Sequence, residues 1–97
     1  MAVIIHRPRV AWEGARVFVR AAPSDAYWWL GDMVGHYLGV MYQLKLAETR
    51  LRLQLEDVVP EEIGAWRFRL DELLRDRPEL TGLLGDLIEE TSYRLPR

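Results

Sequence analysis

Between residues 24 and 57 the chain reads as one uninterrupted helix that is apolar on two sides. Tyr27, Leu30, Val34, Tyr37, Met41, Leu44, Glu48, Leu51 and Leu55 alternate spacings of three and four, a heptad seam with one polar member, Glu48. Beside it runs a second stripe that includes Trp28, Gly31, Gly35, Leu38, Gly39, Tyr42, Leu46 and Leu53. Asp32, His36, Gln43, Arg50 and Gln54 leave only a narrow polar strip. A helix apolar around most of its girth belongs at the centre of something. Gly31, Gly35 and Gly39 recur every four residues within it. Each interior glycine costs a helix roughly 1 kcal/mol against alanine, so the row predicts close approach of another backbone.

The flanks read differently. Residues 2–22 predict a β-hairpin: Val3, Ile4 and Ile5 form a β-branched run ending at Pro8, and two further arms flank Glu13-Gly14 as the turn. Ser24 is a candidate cap for the long helix, and Asp25 suits the positive end of its dipole. Pro60, Glu61 and Glu62 open a second helix over residues 60–75, with Ile63, Trp66, Leu70, Leu73 and Leu74 on one side. Asp76-Arg77-Pro78-Glu79 opens a third over residues 77–93, with capping-box spacing from Asp76 to Glu79. Leu80, Leu83, Leu84, Leu87 and Ile88 form its apolar face. The expected architecture is therefore mostly α: an N-terminal β-hairpin, one long helix and two shorter helices packed back on it. With 97 residues this predicts a single domain, 1–97.

Two shorter helices and a hairpin do not cover both stripes of so long a helix. The expectation is a homo-oligomer with Leu30, Gly31, Val34, Gly35, Tyr37, Gly39, Met41 and Leu44 at the interface. The alternative is that the glycines admit Trp12, Trp66 or another bulky side chain of the same chain. Glu48 in the seam is suited to setting register, to facing solvent, or to pairing with Arg52 one turn on.

Charge adds a second theme. Net charge is −2, which gives no global pull toward nucleic acid or acidic membranes. Residues 1–24, however, hold four arginines against Glu13, a surplus of +3, and residues 25–97 carry −5. Three uses of a basic tip compete: solvating an exposed strand, docking on an acidic protein surface, or contacting phosphate through Arg16 and Arg20. In the last form, a strand with Arg16, Phe18 and Arg20 followed by a capped helix resembles the start of ribbon-helix-helix repressors, whose paired strands enter the major groove. The resemblance covers only residues 15–35. It departs at outward-facing Phe18 and where the helix continues past Gly39.

The chemistry-bearing residues are few. With no cysteine, disulfides, thiolate metal sites and a cysteine nucleophile are excluded. Ser24 and Ser92 have no histidine near them in sequence, and no nucleophile elbow or phosphate-cradling glycine loop is present. Asp32 and His36, four apart on a helix face, are weak metal-ligand candidates, without a matching pair elsewhere. The expectation is a non-catalytic interaction or scaffold subunit without a cofactor, with a protein hetero-partner as a further option and nucleic acid as a lesser one. A DNA-binding regulator and a small-molecule or metal-binding bundle are the alternatives. Trp28 and Trp29 are adjacent and point about 100° apart, which places at least one at an interface or pocket. Residues 26–46 are long enough to span a bilayer, but Asp32, His36, Gln43 and Lys45 interrupt them; the expectation is no membrane and a cytoplasmic location.

Overall fold

The structure is a computed structural model that describes residues 6–96. Five α-helices follow one another: α1 (Arg7–Ala21), α2 (Ala26–Tyr37), α3 (Val40–Leu55), α4 (Val59–Asp76) and α5 (Thr81–Arg94), with a short 3-10 turn at Pro78–Leu80 before α5. No strand occurs among the described residues. The expected hairpin is thus corrected to a helix, apart from its residues 2–5, which lie outside the described range.

The reason lies in the spacing. Ala11, Gly14, Ala15, Phe18, Ala21 and Ala22 recur at three and four and are all buried. That stripe carries the helical period, whereas the Val17/Val19 alternation had suggested period two. Pro8 sits in the first turn, where its missing N–H is no loss. Gly14 is no turn either. A Cβ there would lie 2.8 Å from Leu70 Cδ1 and 3.3 Å from Ile88 Cδ1, so the glycine lets α4 and α5 close on α1.

The long helix is corrected as well, to two helices. At Gly39 φ is +112° and ψ 163°, a conformation that is essentially glycine-only. The Leu38 and Gly39 amides both donate to the Val34 carbonyl, at 2.8 and 3.0 Å, which closes the end of α2. The chain then reverses. Gln43 Nε2 donates to the Gly31 carbonyl at 3.0 Å, and Arg50 Nη1 donates to the carbonyls of Ala22 and Ser24 at 2.8 and 3.3 Å. Positions later in α3 thus meet positions earlier in α2, which makes the pair antiparallel.

The two C-terminal helices were expected to lie along the central run. They pack instead chiefly on α1, which becomes the hub. Their own starts follow the sequence closely: Pro60 with Glu61 and Glu62 opens α4, and Pro78 opens the 3-10 turn before α5. The N-cap position of α2 falls to Asp25, whose side chain makes no capping bond; Ser24, one residue earlier, accepts from the Ala26 amide at 3.2 Å and donates to the Ala21 carbonyl at 2.8 Å. The Asp76–Glu79 capping box does not form. Glu79 pairs with Arg77 at 3.3 Å, and Thr81 Oγ1 donates to the Pro78 carbonyl at 2.7 Å.

Candidate protein-interaction surface

α3 has two faces with different fates. Its inner face carries the buried Leu46 and Thr49 and the half-buried Tyr42, Gln43 and Leu53. Thr49 anchors α3 to α4. Its hydroxyl donates to Glu62 Oε1 at 2.7 Å and accepts from Trp66 Nε1 at 2.8 Å, while Arg52 Nη1 reaches Glu62 Oε2 at 3.4 Å. Glu62 is buried, so its charge must be met inside the fold, and the hydroxyl and guanidinium meet it. Arg50 anchors the other edge. It donates to the carbonyl of Ala22, the C-cap of α1, where a cation suits the dipole, and lies over the rings of Tyr27 and Trp28 at 4.7 and 5.2 Å.

The outer face holds Met41, Leu44, Glu48, Leu51 and Leu55. These are the later members of the heptad seam. Met41 is 64% exposed, Leu44 57%, Leu51 60% and Leu55 82%. Val40 and Tyr37 extend the exposed apolar surface at the turn. Glu48, the polar member, is held by Lys45 at 3.2 Å, so its charge is already balanced. Glu48 interrupts the row once; large apolar side chains gathered on one exposed face mark an interaction surface.

The structure divides the residues expected at the interface. Leu30, Gly31 and Val34 are buried within the chain. At Gly35 a Cβ would lie 2.7 Å from the Gln43 side-chain amide carbon, so this one glycine of the row receives α3 of the same chain, whereas a Cβ at Gly31 would meet nothing within 4 Å. Gly39 is the turn. Of that set Tyr37, Met41 and Leu44 are exposed, and Leu51 and Leu55 join them. Leu51 and Leu55 belong to the same heptad series, and the reversal at Gly39 separates this exposed second half from the buried first half.

The other candidates are scattered. Asp32 and His36 are exposed on α2, and no three His, Asp or Glu side chains gather as metal ligands among the described residues. His36 instead meets the Tyr37 ring edge-on, centroids 4.6 Å apart. Arg16 and Arg20 are exposed on α1, a helix, so paired strands in a DNA groove are not available to them. Trp28 is exposed beneath Arg50, and Trp29 is half-buried under the Arg94 guanidinium at 4.1 Å. No helix among the described residues is long and apolar enough to cross a membrane.

One titration stands out on the inner face. Burial pushes the Tyr42 phenol above its ordinary value of 10.0, and the carboxylates of Glu72 and Asp76 push it further, against the opposing Arg69. A pKa raised by folding means that the folded state holds the proton more tightly. Its stabilising contribution is full below pH 10.0 and is lost as pH rises from there through the folded-state value. Thermal melts from pH 8 upward should show stability declining above about pH 10, and Tyr42→Phe should make that decline shallower. An identical decline in the variant would assign the alkaline loss to other groups.

The described chain is an all-helical protein with α1 at its hub and an uncovered apolar face on α3. Comparison with models of known families, with curated proteins and with solved structures finds no match.

Proposed function

We propose that this protein is a non-catalytic assembly subunit that pairs with a second copy of itself along the outer face of α3. The observation that carries this reading is the exposed row Met41, Leu44, Leu51 and Leu55 at heptad spacing. A heptad row is self-complementary: the same row from a second molecule supplies both the knobs and the holes. α3 is already ordered by its inner face, so association does not carry the cost of forming the helix. Glu48 enters such a seam as an ion pair with Lys45 rather than as a bare charge. Sixteen residues give a seam about 24 Å long. A stable interface needs on the order of 800 Å² per partner, which draws in Tyr37 and Val40 at one end.

Light scattering behind a sizing column, across a range of concentrations, tests this. The expected mass is twice the 11.4 kDa of the chain. Leu44→Glu combined with Leu51→Glu should return the protein to 11.4 kDa with its helix content unchanged, because both side chains project away from the core. Burying two carboxylates in the seam should weaken pairing by at least about 30-fold. A parent protein that stays monomeric at every concentration rejects the proposal.

A further inference from the structure

On a different part of the surface, α1 and α4 lie side by side and present aromatic rings among arginines. Trp12 is 41% exposed. The Arg16 guanidinium lies 5.9 Å from its ring centroid and that of Arg67 5.4 Å, one from each helix. Phe68, next to Arg67 in the chain, is 64% exposed. Beside them a groove of about 360 Å³ runs between the helices, from Pro8 and Ala11 on α1 to Gly64, Arg67, Phe68, Asp71 and Arg75 on α4. Asp71, in the groove itself, is paired with Arg75 at 2.9 Å, and Glu13, next to Trp12 in the chain, is paired with Arg9 at 3.0 Å. Arg16 and Arg67 have no carboxylate within 4.0 Å among the described residues. The patch is locally basic on a chain whose net charge is −2.

We infer that this α1–α4 face binds single-stranded nucleic acid, with Arg16 and Arg67 on phosphates and Trp12 and Phe68 as stacking platforms. Arginines without acidic partners supply the phosphate contacts, as they would for any polyanion. The exposed rings decide between polyanions. A run of carboxylates alone, such as polyglutamate, has no ring to stack on Trp12 and Phe68, whereas unpaired bases stack on aromatic faces and on guanidinium planes. Bases locked in a duplex cannot reach such platforms, which selects a single strand.

The probe is a fluorescein-labelled oligothymidylate titrated with the full chain and read by fluorescence anisotropy. Two or three phosphate contacts imply that binding weakens about 7- to 20-fold between roughly 50 and 200 mM salt. Arg16→Ala with Arg67→Ala should weaken it by at least about tenfold at low salt. Phe68→Ala should cost about fivefold or more for the oligonucleotide and leave the affinity for inorganic polyphosphate unchanged. These variants lie on exposed positions, and unchanged circular dichroism and melting temperature confirm that the fold persists. The monomeric Leu44→Glu, Leu51→Glu protein should still bind, so failure of the pairing proposal leaves this one standing. Absence of binding at low salt overturns the inference, as does binding that survives the loss of both arginines. Polyglutamate competing as well as unlabelled oligothymidylate, with Phe68→Ala without effect, overturns it in favour of an acidic peptide.

Discussion

Replacing Trp66 with alanine is expected to destabilise the protein by about 3–5 kcal/mol, the usual cost of truncating a fully buried tryptophan. Trp66 is 0% exposed and does three jobs at one point. Its ring meets Phe18 of α1 edge-on, with centroids 5.3 Å apart and planes at 73°. Its indole N–H donates to Thr49 of α3, and that hydroxyl in turn faces Glu62. The Arg69 guanidinium lies over its ring at 5.2 Å. Removing the side chain therefore loosens α1, α3 and α4 together. Domains of this kind are stable by only about 5–15 kcal/mol, so a drop in melting temperature of at least about 15 °C should follow. Trp66→Phe keeps much of the ring while removing the N–H donor. It should cost less, on the order of 1–2 kcal/mol, and leave α3 less firmly held. Urea unfolding of both variants gives the comparison. A loss below about 1 kcal/mol for the alanine variant would remove Trp66 from the centre of the core.

Gly39→Ala should do more than destabilise. Its φ of +112° with ψ of 163° is a region that costs a side-chain-bearing residue about 1–3 kcal/mol. In a continuous helix the same alanine gains roughly 1 kcal/mol over glycine. Both terms favour a straight α2–α3 rod over the reversed pair. Straightening uncovers the buried Leu30 and Val34 of α2 and Leu46 of α3. The cheapest way to cover them again is for α3 of a second molecule to occupy the vacated position, an exchange of identical elements. In the Leu44→Glu, Leu51→Glu background, where pairing through the outer face is blocked, Gly39→Ala should restore a species of twice 11.4 kDa. If the triple variant stays monomeric with the parental melting temperature, the turn does not depend on glycine.

These two positions show how far local signals reach. The tryptophan at 66 was legible as an apolar-face residue of its helix, since it recurs with Ile63, Leu70, Leu73 and Leu74. Its bond to Thr49 was not, because the donor and acceptor are seventeen residues apart on different helices, and the turn between α3 and α4 brings them together. The glycine row was legible as a place of close approach, and close approach occurs at Gly35. What approaches it was misassigned: it is Gln43 of the same chain rather than a second backbone. The seam of threes and fours was also real as a pattern. Folding the chain at Gly39 buried Leu30 and Val34 and left Met41, Leu44, Leu51 and Leu55 in water, so one row became two surfaces with different roles.

By itself the sequence determined those features whose causes lie within a few residues. Pro60 with Glu61 and Glu62 starts a helix because its missing N–H and the acidic side chains suit a helix beginning. Ser24 lies at the start of α2 for a similarly local reason. The apolar faces of α4 and α5 follow from their period, and cysteine chemistry was excluded by composition. The tertiary structure decided what depends on partners far along the chain. Val10 to Arg20 can be read at period two or at 3.6, and the difference is settled by α4 and α5, which need the stripe Ala11, Gly14, Ala15 and Phe18 to pack against. Gly39 fits a helix interior or a reversal. The reversal wins because it places Gln43 against the Gly31 carbonyl and Arg50 against that of Ala22, and buries Leu30, Val34 and Leu46, a gain in burial and hydrogen bonding that no local propensity records.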